Sequence, residues 1–349
     1  MSIPITIITG FLGAGKTTLL NRILRGNHGL HVAVLVNDFG AINIDAELIV
    51  GVEGETVSLA NGCICCTIRD DLLNAVLSAI NRPEKPEYVV IETSGVSDPF
   101  AVASTFLLPQ LRQHVFVDGI LTVVDAEQAR DLRGEQAVLA MDQIAAGDMI
   151  LLNKVDLVSP AALEEIRAWI REIVPNARIL EVTNADAPLE LLLSVGEFSA
   201  DKLASRAAHD VHTHEAGDEH EHTHTHDHSL VFSTASYTCD EPLNYAAARK
   251  VIDALPAEIY RAKGVLFTQT QPGKRMVLQM VGKRVQLLMG EPWGDEPPQT
   301  RLVFIGAGNA IDAADLRRKF DACRASAPKP AEPDKLAQAL DWVRGKWKM

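Results

Sequence analysis

The segment GFLGAGKTT, residues 10–18, has the residue types and spacing of a polyphosphate-binding loop. It matches the pattern G-x-x-x-x-G-K-[ST] throughout, follows a predicted strand and precedes a predicted helix. Glycines let backbone N–H groups approach a phosphate, and the helix N-terminus adds its dipole. The predicted nucleotide contacts are Gly10, Gly13, Ala14, Gly15, Lys16, Thr17 and Thr18. Lys16 is expected to reach the β- and γ-phosphates, and the Thr17 hydroxyl to coordinate Mg²⁺.

A second pattern, NKVD at residues 153–156, predicts which base the nucleotide carries. The carboxylate of Asp156 can accept hydrogen bonds from guanine N1–H and from the exocyclic amine, whereas adenine presents an acceptor there. Because a buried unpaired polar group costs about 1–3 kcal/mol, the pattern favours guanine. Asn153 and Lys154 are expected to hold the loop and flank the purine, and backbone groups of residues 183–185 are further candidates.

The segment VVIETSG, residues 89–95, ends a predicted buried strand with a carboxylate. Glu92 is expected to act on the Mg²⁺ shell or on the attacking water, which makes it, with Lys16, a candidate catalytic residue. The alternative is that Glu92 caps the following turn. The N–H of Gly95 is expected to face the γ-phosphate. Asp38 is either a contact to the metal–phosphate region or a solvated loop residue, and a segment ordered there by the γ-phosphate would act as a switch.

Three of the five cysteines stand within four positions, at Cys63, Cys65 and Cys66. Neighbours this close fit disulfide geometry poorly, and a closed zinc site needs a second ligand pair, which Cys239 and Cys323 do not supply. A buried, inert group of thiols is the structural alternative. Three thiolates on one ion leave a fourth position for exchange, and soft sulfur selects Zn²⁺, Co²⁺ or Cu⁺ over Mg²⁺. We therefore interpret the motif as an open transition-metal site.

A polar tract at residues 201–228 holds eight of the eleven histidines. Histidines interleaved with Glu, Asp and Thr are typical of flexible cation capture, and a solvated linker is the alternative. The isolated His28, His31 and His114 are expected to be surface or packed residues and not ligands.

These residues require strands and helices that bring them together. Apolar β-branched runs alternate with helix-length stretches over residues 1–200, which predicts an α/β domain, containing the phosphate loop, with a mainly parallel sheet covered on both faces. Ligands of such sheets bind at the carboxyl ends of strands, where the motifs above stand. Residues 201–228 form a predicted linker, and residues 229–325 predict a smaller α+β domain with an antiparallel sheet. Residues 326–349 predict a linker and a terminal helix over 334–347.

Composition excludes several classes of function. A formal net charge of −13 argues against a nucleic-acid binder, because phosphate backbones would repel the chain. No apolar run approaches the ~18 residues that cross a bilayer, and the apolar start lacks the basic leader of a signal peptide. We therefore expect a cytoplasmic protein, away from membranes, with reduced thiols. The sequence does not fix the number of copies in an assembly, and a homo-oligomer is compatible with it.

Together these motifs resemble one family, the CobW-like GTPases, which are metal chaperones of the SIMIBI class of P-loop proteins. The resemblance is carried by TGFLGAGKTTLLNRIL, NGCICC, VVIETSG and NKVD, and by RAKG and PWGDE late in the chain, so it spans residues 5 to about 305. It implies binding of GTP with Mg²⁺, slow hydrolysis to GDP and phosphate, and a transition metal at the three clustered cysteines. Zinc homeostasis, cobalt insertion during cobalamin synthesis and nitrile hydratase activation are the roles implied for subfamilies.

From the sequence, our hypothesis is that the protein is a GTP-dependent metallochaperone. In it, GTP binding and hydrolysis control the affinity of the cysteine motif for zinc or cobalt, and the ion passes to a client metalloprotein. One alternative is a metal-storage protein in which GTP is structural or regulatory, which eight clustered histidines favour. A regulatory switch that signals through the second domain without moving metal is another.

Overall fold

The computed structural model describes residues 2–26, 30–36, 56–58, 67–193, 232–307 and 311–326. Within these ranges the chain forms two β-sheets, one of seven strands and one of five, with helices packed against each. No helix in the described ranges is long and apolar enough to cross a membrane.

The first sheet is built from short, apolar strands. They are β1 (Ile3–Thr9), β2 (Val32–Val36), β3 (Thr56–Ser58), β4 (Tyr88–Glu92), β5 (Val115–Asp125), β6 (Met149–Asn153) and β7 (Ile179–Val182). Their order across the sheet is β3-β2-β4-β1-β5-β6-β7, and every pairing is parallel. β2, β4 and β6 are buried along their whole length, as strands covered on both faces should be. The predicted parallel sheet is confirmed.

Helices cover both faces of this sheet. They are α1 (Lys16–Arg25), α2 (Thr67–Ile80), α3 (Pro99–Thr105), α4 (Glu135–Ala146), α5 (Pro160–Ile173) and α6 (Leu189–Leu192), with a 3₁₀ turn at Val155–Leu157. Successive residues of β1 point to opposite faces, and the two faces meet different helices. Ile8 belongs to the apolar cluster of Leu19 and Ile23 in α1, whereas Ile7 belongs to the cluster of Val76 in α2.

The second sheet is antiparallel and has helices on one face, as predicted. Its elements are β8 (Phe232–Cys239), α7 (Tyr245–Asp253), β9 (Ile259–Leu266), β10 (Lys274–Val281), β11 (Arg284–Pro292), β12 (Thr300–Ala307) and α8 (Ala313–Asp321). The strand order is β11-β10-β9-β12-β8. Ile252 of α7 and Phe320 of α8 pack into one core with Phe304 of β12, and the rings of Phe320 and Phe304 lie 5.6 Å apart.

The second sheet docks on the amino ends of β5, β6 and β7, at the edge of the first sheet opposite the predicted nucleotide loops. Arg178, just before β7, donates to the carbonyl oxygens of Pro256, at 2.7 Å, and Ile259. Arg284 of β11 forms an ion pair with Asp148, just before β6, at 2.6 Å. The interface therefore joins charged side chains of each domain to groups of the other.

A buried polar cluster lies at the centre of this interface. The carboxylate of Asp118 accepts hydrogen bonds from the Tyr88 hydroxyl, at 2.7 Å, and from Arg261 of β9, at 3.2 Å. The side chains of Asp118 and Arg261 are 1% and 3% exposed. Arg261 also donates to the carbonyl oxygen of Leu191. Because such a pair is shielded from water, each charge depends on the other for its stability.

Lys263, two positions after Arg261 on β9, makes the stability of the protein depend on pH. Burial, and then the charge of Arg261, lowers the pKa of Lys263 from 10.5 to about 8, against the opposing effect of Asp118. Between these values the unfolded chain binds a proton more strongly than the folded chain, so the free energy of unfolding rises with pH.

We expect wild type to gain stability relative to Lys263→Met as the pH increases from about 8 to about 10.5. Urea unfolding of both proteins across this range checks the expectation. A difference between them that does not change with pH would contradict it.

Several sequence predictions lie outside the described residues. These are the histidine tract, the domain boundary near residue 200, the linker beyond residue 326 and the terminal helix at 334–347. They stay predictions. One strand of the first sheet, the three-residue β3, was not predicted, because its run is too short for periodicity to indicate a strand.

Candidate nucleotide-binding site

Three glycines shape the loop between β1 and α1. Gly10, Gly13 and Gly15 have φ angles of 137°, 75° and 108°, a region that glycine adopts without strain. A Cβ on Gly10 would lie 2.1 Å from the carbonyl oxygen of Val123, and one on Gly15 would lie 2.5 Å from Nδ2 of Asn153. Close packing against β5 and β6 therefore requires glycine at these two positions.

The first turn of α1 presents backbone N–H groups at the end of this loop. Its N-cap is Gly15, which has no side chain to cap the helix. Unsatisfied N–H groups and the positive end of the helix dipole together favour an anion such as phosphate. Ala14 is buried, and Thr18 is exposed on the first turn.

Two side chains of α1 are held at the loop by hydrogen bonds. Lys16 is buried, and its Nζ donates to the carbonyl oxygen of Phe11 at 3.1 Å. The Thr17 hydroxyl donates to Oε1 of Glu92 at 2.7 Å. Glu92 ends β4, which lies next to β1, and it is buried. A hydroxyl beside a carboxylate supplies the hard oxygen ligands that Mg²⁺ prefers, so these residues fit the predicted ion.

Gly95 lies directly against the phosphate loop. A Cβ at this position would come within 2.7 Å of the backbone nitrogen of Leu12. The N–H of Ser97 donates to the carbonyl oxygen of Ser94 at 3.0 Å, which closes a turn around Gly95 and Val96. The loop after β4 therefore brings its glycine to the phosphate loop, and the contact of the Gly95 N–H with the γ-phosphate stays a prediction.

Asn153 connects three segments of the site. Its Nδ2 donates to the carbonyl oxygen of Ala14 at 2.9 Å, and its Oδ1 accepts from the N–H of Ala185 at 2.8 Å. Asn153 ends β6 and is buried. One amide thus ties the phosphate loop to the loop after β7.

The next residues of NKVD lie at the surface of the same region. Lys154 forms an ion pair with Asp125 at 2.7 Å, and Asp125 ends β5. Asp156 is exposed on the 3₁₀ turn, where its carboxylate is accessible to a base. The sequence reasoning missed Asp125, although an aspartate that ends the predicted strand GILTVVDA was a usable signal.

Backbone strain in the described residues is concentrated here. Lys154, Asn184 and Ala185 are the non-glycine residues with positive φ in the ranges that the structure covers, at 61°, 51° and 54°. Such conformations persist where the surroundings enforce them, and they are common at binding sites. Arg22 of α1, also missed from the sequence, supplies part of that enforcement by donating to the carbonyl oxygen of Asn184 at 2.8 Å and to Asp186 at 2.7 Å.

The predicted metal site is not part of this geometry. Cys63, Cys65 and Cys66, and also Asp38, lie outside the described residues. The cysteines that the structure does describe, Cys239 and Cys323, are buried in the second domain with free thiols. Within the described ranges, no group of three or more His, Cys, Asp or Glu side chains is placed to hold a metal ion. The three clustered cysteines therefore stay a prediction.

Family models match both halves of the chain. Residues 4–181 match the model described as CobW/HypB/UreG, nucleotide-binding domain. Residues 232–324 match the Cobalamin synthesis protein cobW C-terminal domain. These bounds agree with the first and second sheets described above.

Named proteins are similar over nearly the whole chain. A zinc chaperone CobW from a Sinorhizobium species is 32% identical over 341 residues, which cover 89% of this chain and 95% of that protein. The zinc chaperone YjiA of Escherichia coli is 32% identical, over 92% of this chain and 99% of that one. Zinc-regulated GTPase metalloprotein activator 1 of Dictyostelium discoideum is 30% identical, over 92% and 79%. The chain therefore belongs to the CobW/HypB/UreG family, with a P-loop GTPase domain followed by a CobW C-terminal domain.

Proposed function

We propose that this protein is a GTP-dependent metallochaperone that takes up zinc at Cys63, Cys65 and Cys66 and passes it to a client metalloprotein. The nucleotide-binding part of this proposal is carried by one observation, the pair of hydrogen bonds by which Asn153 joins the phosphate loop to the loop after β7. The metal half is supported by the cysteine motif and by relatives named as zinc chaperones. Cobalt is the second candidate cargo, because thiolates bind both ions.

In this proposal the chain's own groups hold and orient GTP. The N–H groups of residues 10–15 and the Lys16 ammonium bind the phosphates, and Thr17 and Glu92 hold Mg²⁺. Bound Mg²⁺ neutralises charge on the β- and γ-phosphates. The carboxylate of Glu92 is proposed to orient the attacking water, and the N–H of Gly95 is proposed to face the γ-phosphate. With no further side chain in a catalytic role, we expect hydrolysis to be slow.

Asp156 is the residue proposed to select guanine. Asp156→Asn is expected to shift the preferred nucleotide from GTP to xanthosine triphosphate by at least about tenfold, because the new amide donates to the xanthine 2-oxo group. Competition of the two nucleotides for the wild type and the variant measures this shift. Asp131→Asn, an exposed change after β5, is the matched control. An unchanged preference in Asp156→Asn would exclude Asp156 from the base pocket.

The metallochaperone proposal requires that nucleotide and zinc affect each other's affinity. We expect zinc affinity, measured by competition with a chromophoric chelator, to differ at least about fivefold between protein with a non-hydrolysable GTP analogue and protein with GDP. By linkage, zinc must change the affinity for the GTP analogue by the same factor. Cys65→Ala should abolish both effects, whereas Cys323→Ala, which removes a buried thiol of the second domain, should preserve them. Equal zinc affinity in all nucleotide states would leave the proposed zinc transfer with no mechanism to drive it.

A storage role makes a different prediction for the histidine tract. Deleting residues 209–228 should remove most bound zinc from a storage protein. A metallochaperone should instead retain one tightly bound ion per chain after the deletion. Elemental analysis of the two purified proteins after dialysis distinguishes these outcomes.

A further inference from the structure

A buried amide of α4 holds the turn that contains Gly95. Gln143 is 1% exposed. Its Nε2 donates to the carbonyl oxygen of Gly95 at 3.0 Å and to that of Ser97 at 3.4 Å. Both hydrogens of one side-chain amide are therefore directed at the segment between β4 and α3.

The backbone of Gln143 is itself fixed to the first sheet. The hydroxyl of Thr122, a buried residue of β5, donates to the carbonyl oxygen of Gln143 at 2.8 Å. The next residue of β5 is Val123, whose carbonyl oxygen packs against Gly10 of the phosphate loop. The amide therefore acts from a rigid position that is shared with the phosphate loop.

The turn Ser94–Ser97 lies between this amide and the phosphate loop. Gly95 packs against Leu12 on one side and accepts the hydrogen bond from Gln143 through its carbonyl oxygen. At its start, the N–H of Thr93 donates to the carbonyl oxygen of Ile8. The position of the Gly95 peptide thus depends on Gln143 as well as on β1.

Gln143 and Ser97 each have a side-chain oxygen that makes no hydrogen bond in the described structure. Oε1 of Gln143 and Oγ of Ser97 are buried and have no hydrogen-bond partner among the described protein atoms. Buried polar groups are normally paired.

We propose that Gln143 is a positioning residue that holds the turn Ser94–Ser97 and so sets the preference for GTP over GDP. This inference rests on the proposed role of Gly95 at the γ-phosphate. GDP has no group at that position, so its affinity does not depend on the turn. GTP binds more weakly when the turn is released, because the turn must then be ordered as the nucleotide binds.

Gln143→Leu tests the proposal, since it keeps most of the side-chain volume and removes both donors. We expect the affinity for a non-hydrolysable GTP analogue to fall about tenfold or more, and the affinity for GDP to change by less than about twofold. Hydrolysis at saturating GTP should also slow. Gln136→Leu, an exposed change on the same helix, should leave both affinities unaltered. A purely structural role for Gln143 would instead weaken GDP and the GTP analogue equally, and that result would overturn the proposal.

Gln143→Glu supplies a second readout that does not depend on how well Gln143→Leu folds. A carboxyl at this buried position can donate to the Gly95 carbonyl only when protonated, and burial raises its pKa. The hydrolysis rate of Gln143→Glu should therefore increase relative to wild type as the pH falls from about 8 to about 6. Parallel pH profiles would overturn the proposal. If wild type binds neither nucleotide, the proposed GTPase function fails as well, whereas normal wild-type binding with an unchanged ratio in both variants defeats this inference alone.

Discussion

Lys16→Ala will lower the rate of GTP hydrolysis by about 100- to 1000-fold, the range found when one preorganised donor is removed from developing negative charge. Lys16 is buried at the N-terminus of α1, and its Nζ is already held over the phosphate loop by the carbonyl oxygen of Phe11. The Lys16 side chain therefore loses little conformational freedom when a phosphate replaces that carbonyl as its hydrogen-bond partner. Phosphate release at saturating GTP and Mg²⁺ measures the effect.

Two further variants make the Lys16 experiment specific. Arg25→Ala removes a positive charge from the exposed last turn of the same helix and should leave the rate unchanged. Lys16→Arg keeps the charge, but the larger planar guanidinium does not fit a site built for a compact ammonium, so most of the activity should still be lost. A hydrolysis rate within threefold of wild type in Lys16→Ala would mean that the phosphates bind elsewhere.

Asp118→Ala will destabilise the protein by about 3–5 kcal/mol, because it leaves the guanidinium of Arg261 buried without its carboxylate. The side chains of both residues are almost fully shielded from water. The variant also removes the acceptor of the Tyr88 hydroxyl, which burial keeps protonated by raising its pKa. Urea unfolding measures the loss.

A double-mutant cycle separates the cost in stability of leaving a charge buried from the cost of losing the contact. Replacing Asp118 by leucine and Arg261 by methionine together should cost much less than the sum of the single replacements, since no charge is then left buried. Glu127→Ala, an exposed carboxylate just after the same strand, should change stability by less than about 0.5 kcal/mol. A cost below about 1 kcal/mol for Asp118→Ala would show that water reaches Arg261.

The signals on which the predicted nucleotide loops rest are local in the sequence. The glycine pattern before α1, the carboxylate at the end of β4 and the asparagine at the end of β6 each follow an apolar strand. In a parallel sheet those strand ends meet at one edge, so spacing along the chain was enough to group the residues. The pattern of apolar residues along the predicted strands likewise indicated a parallel sheet in the first domain and an antiparallel sheet in the second.

The interface between the domains could not be predicted in this way. Asp118 and Gly119 form a turn-like dipeptide, and the predicted strand began at Gly119, whereas β5 runs through both from Val115. The pairing of β5 with β1 shifts register at this point, so Asp118 is an extra residue in the strand. The predicted strand GVLFTQT likewise omitted Arg261, which belongs to β9. Charged residues inside strands indicate a surface unless the partner domain is known.

Arg22 and Gln143 were missed for a similar reason. Each acts on a loop far away in sequence, Arg22 on residues 184–186 and Gln143 on residues 95–97. A single arginine or glutamine on an amphipathic helix is indistinguishable from a solvated one until the fold brings the loop to it.

The strand β5 contacts both the predicted nucleotide site and the second domain. Asp125, at one end of β5, holds Lys154 beside the base loop, and Asp118, seven residues earlier and about 23 Å away, holds the second domain. In the described residues, the second domain therefore contacts β5 at the end of the strand away from the nucleotide loops. In the described part of the chain, nucleotide binding and domain docking therefore act on opposite ends of one continuous strand, so a displacement of β5 along its axis would move both sites together.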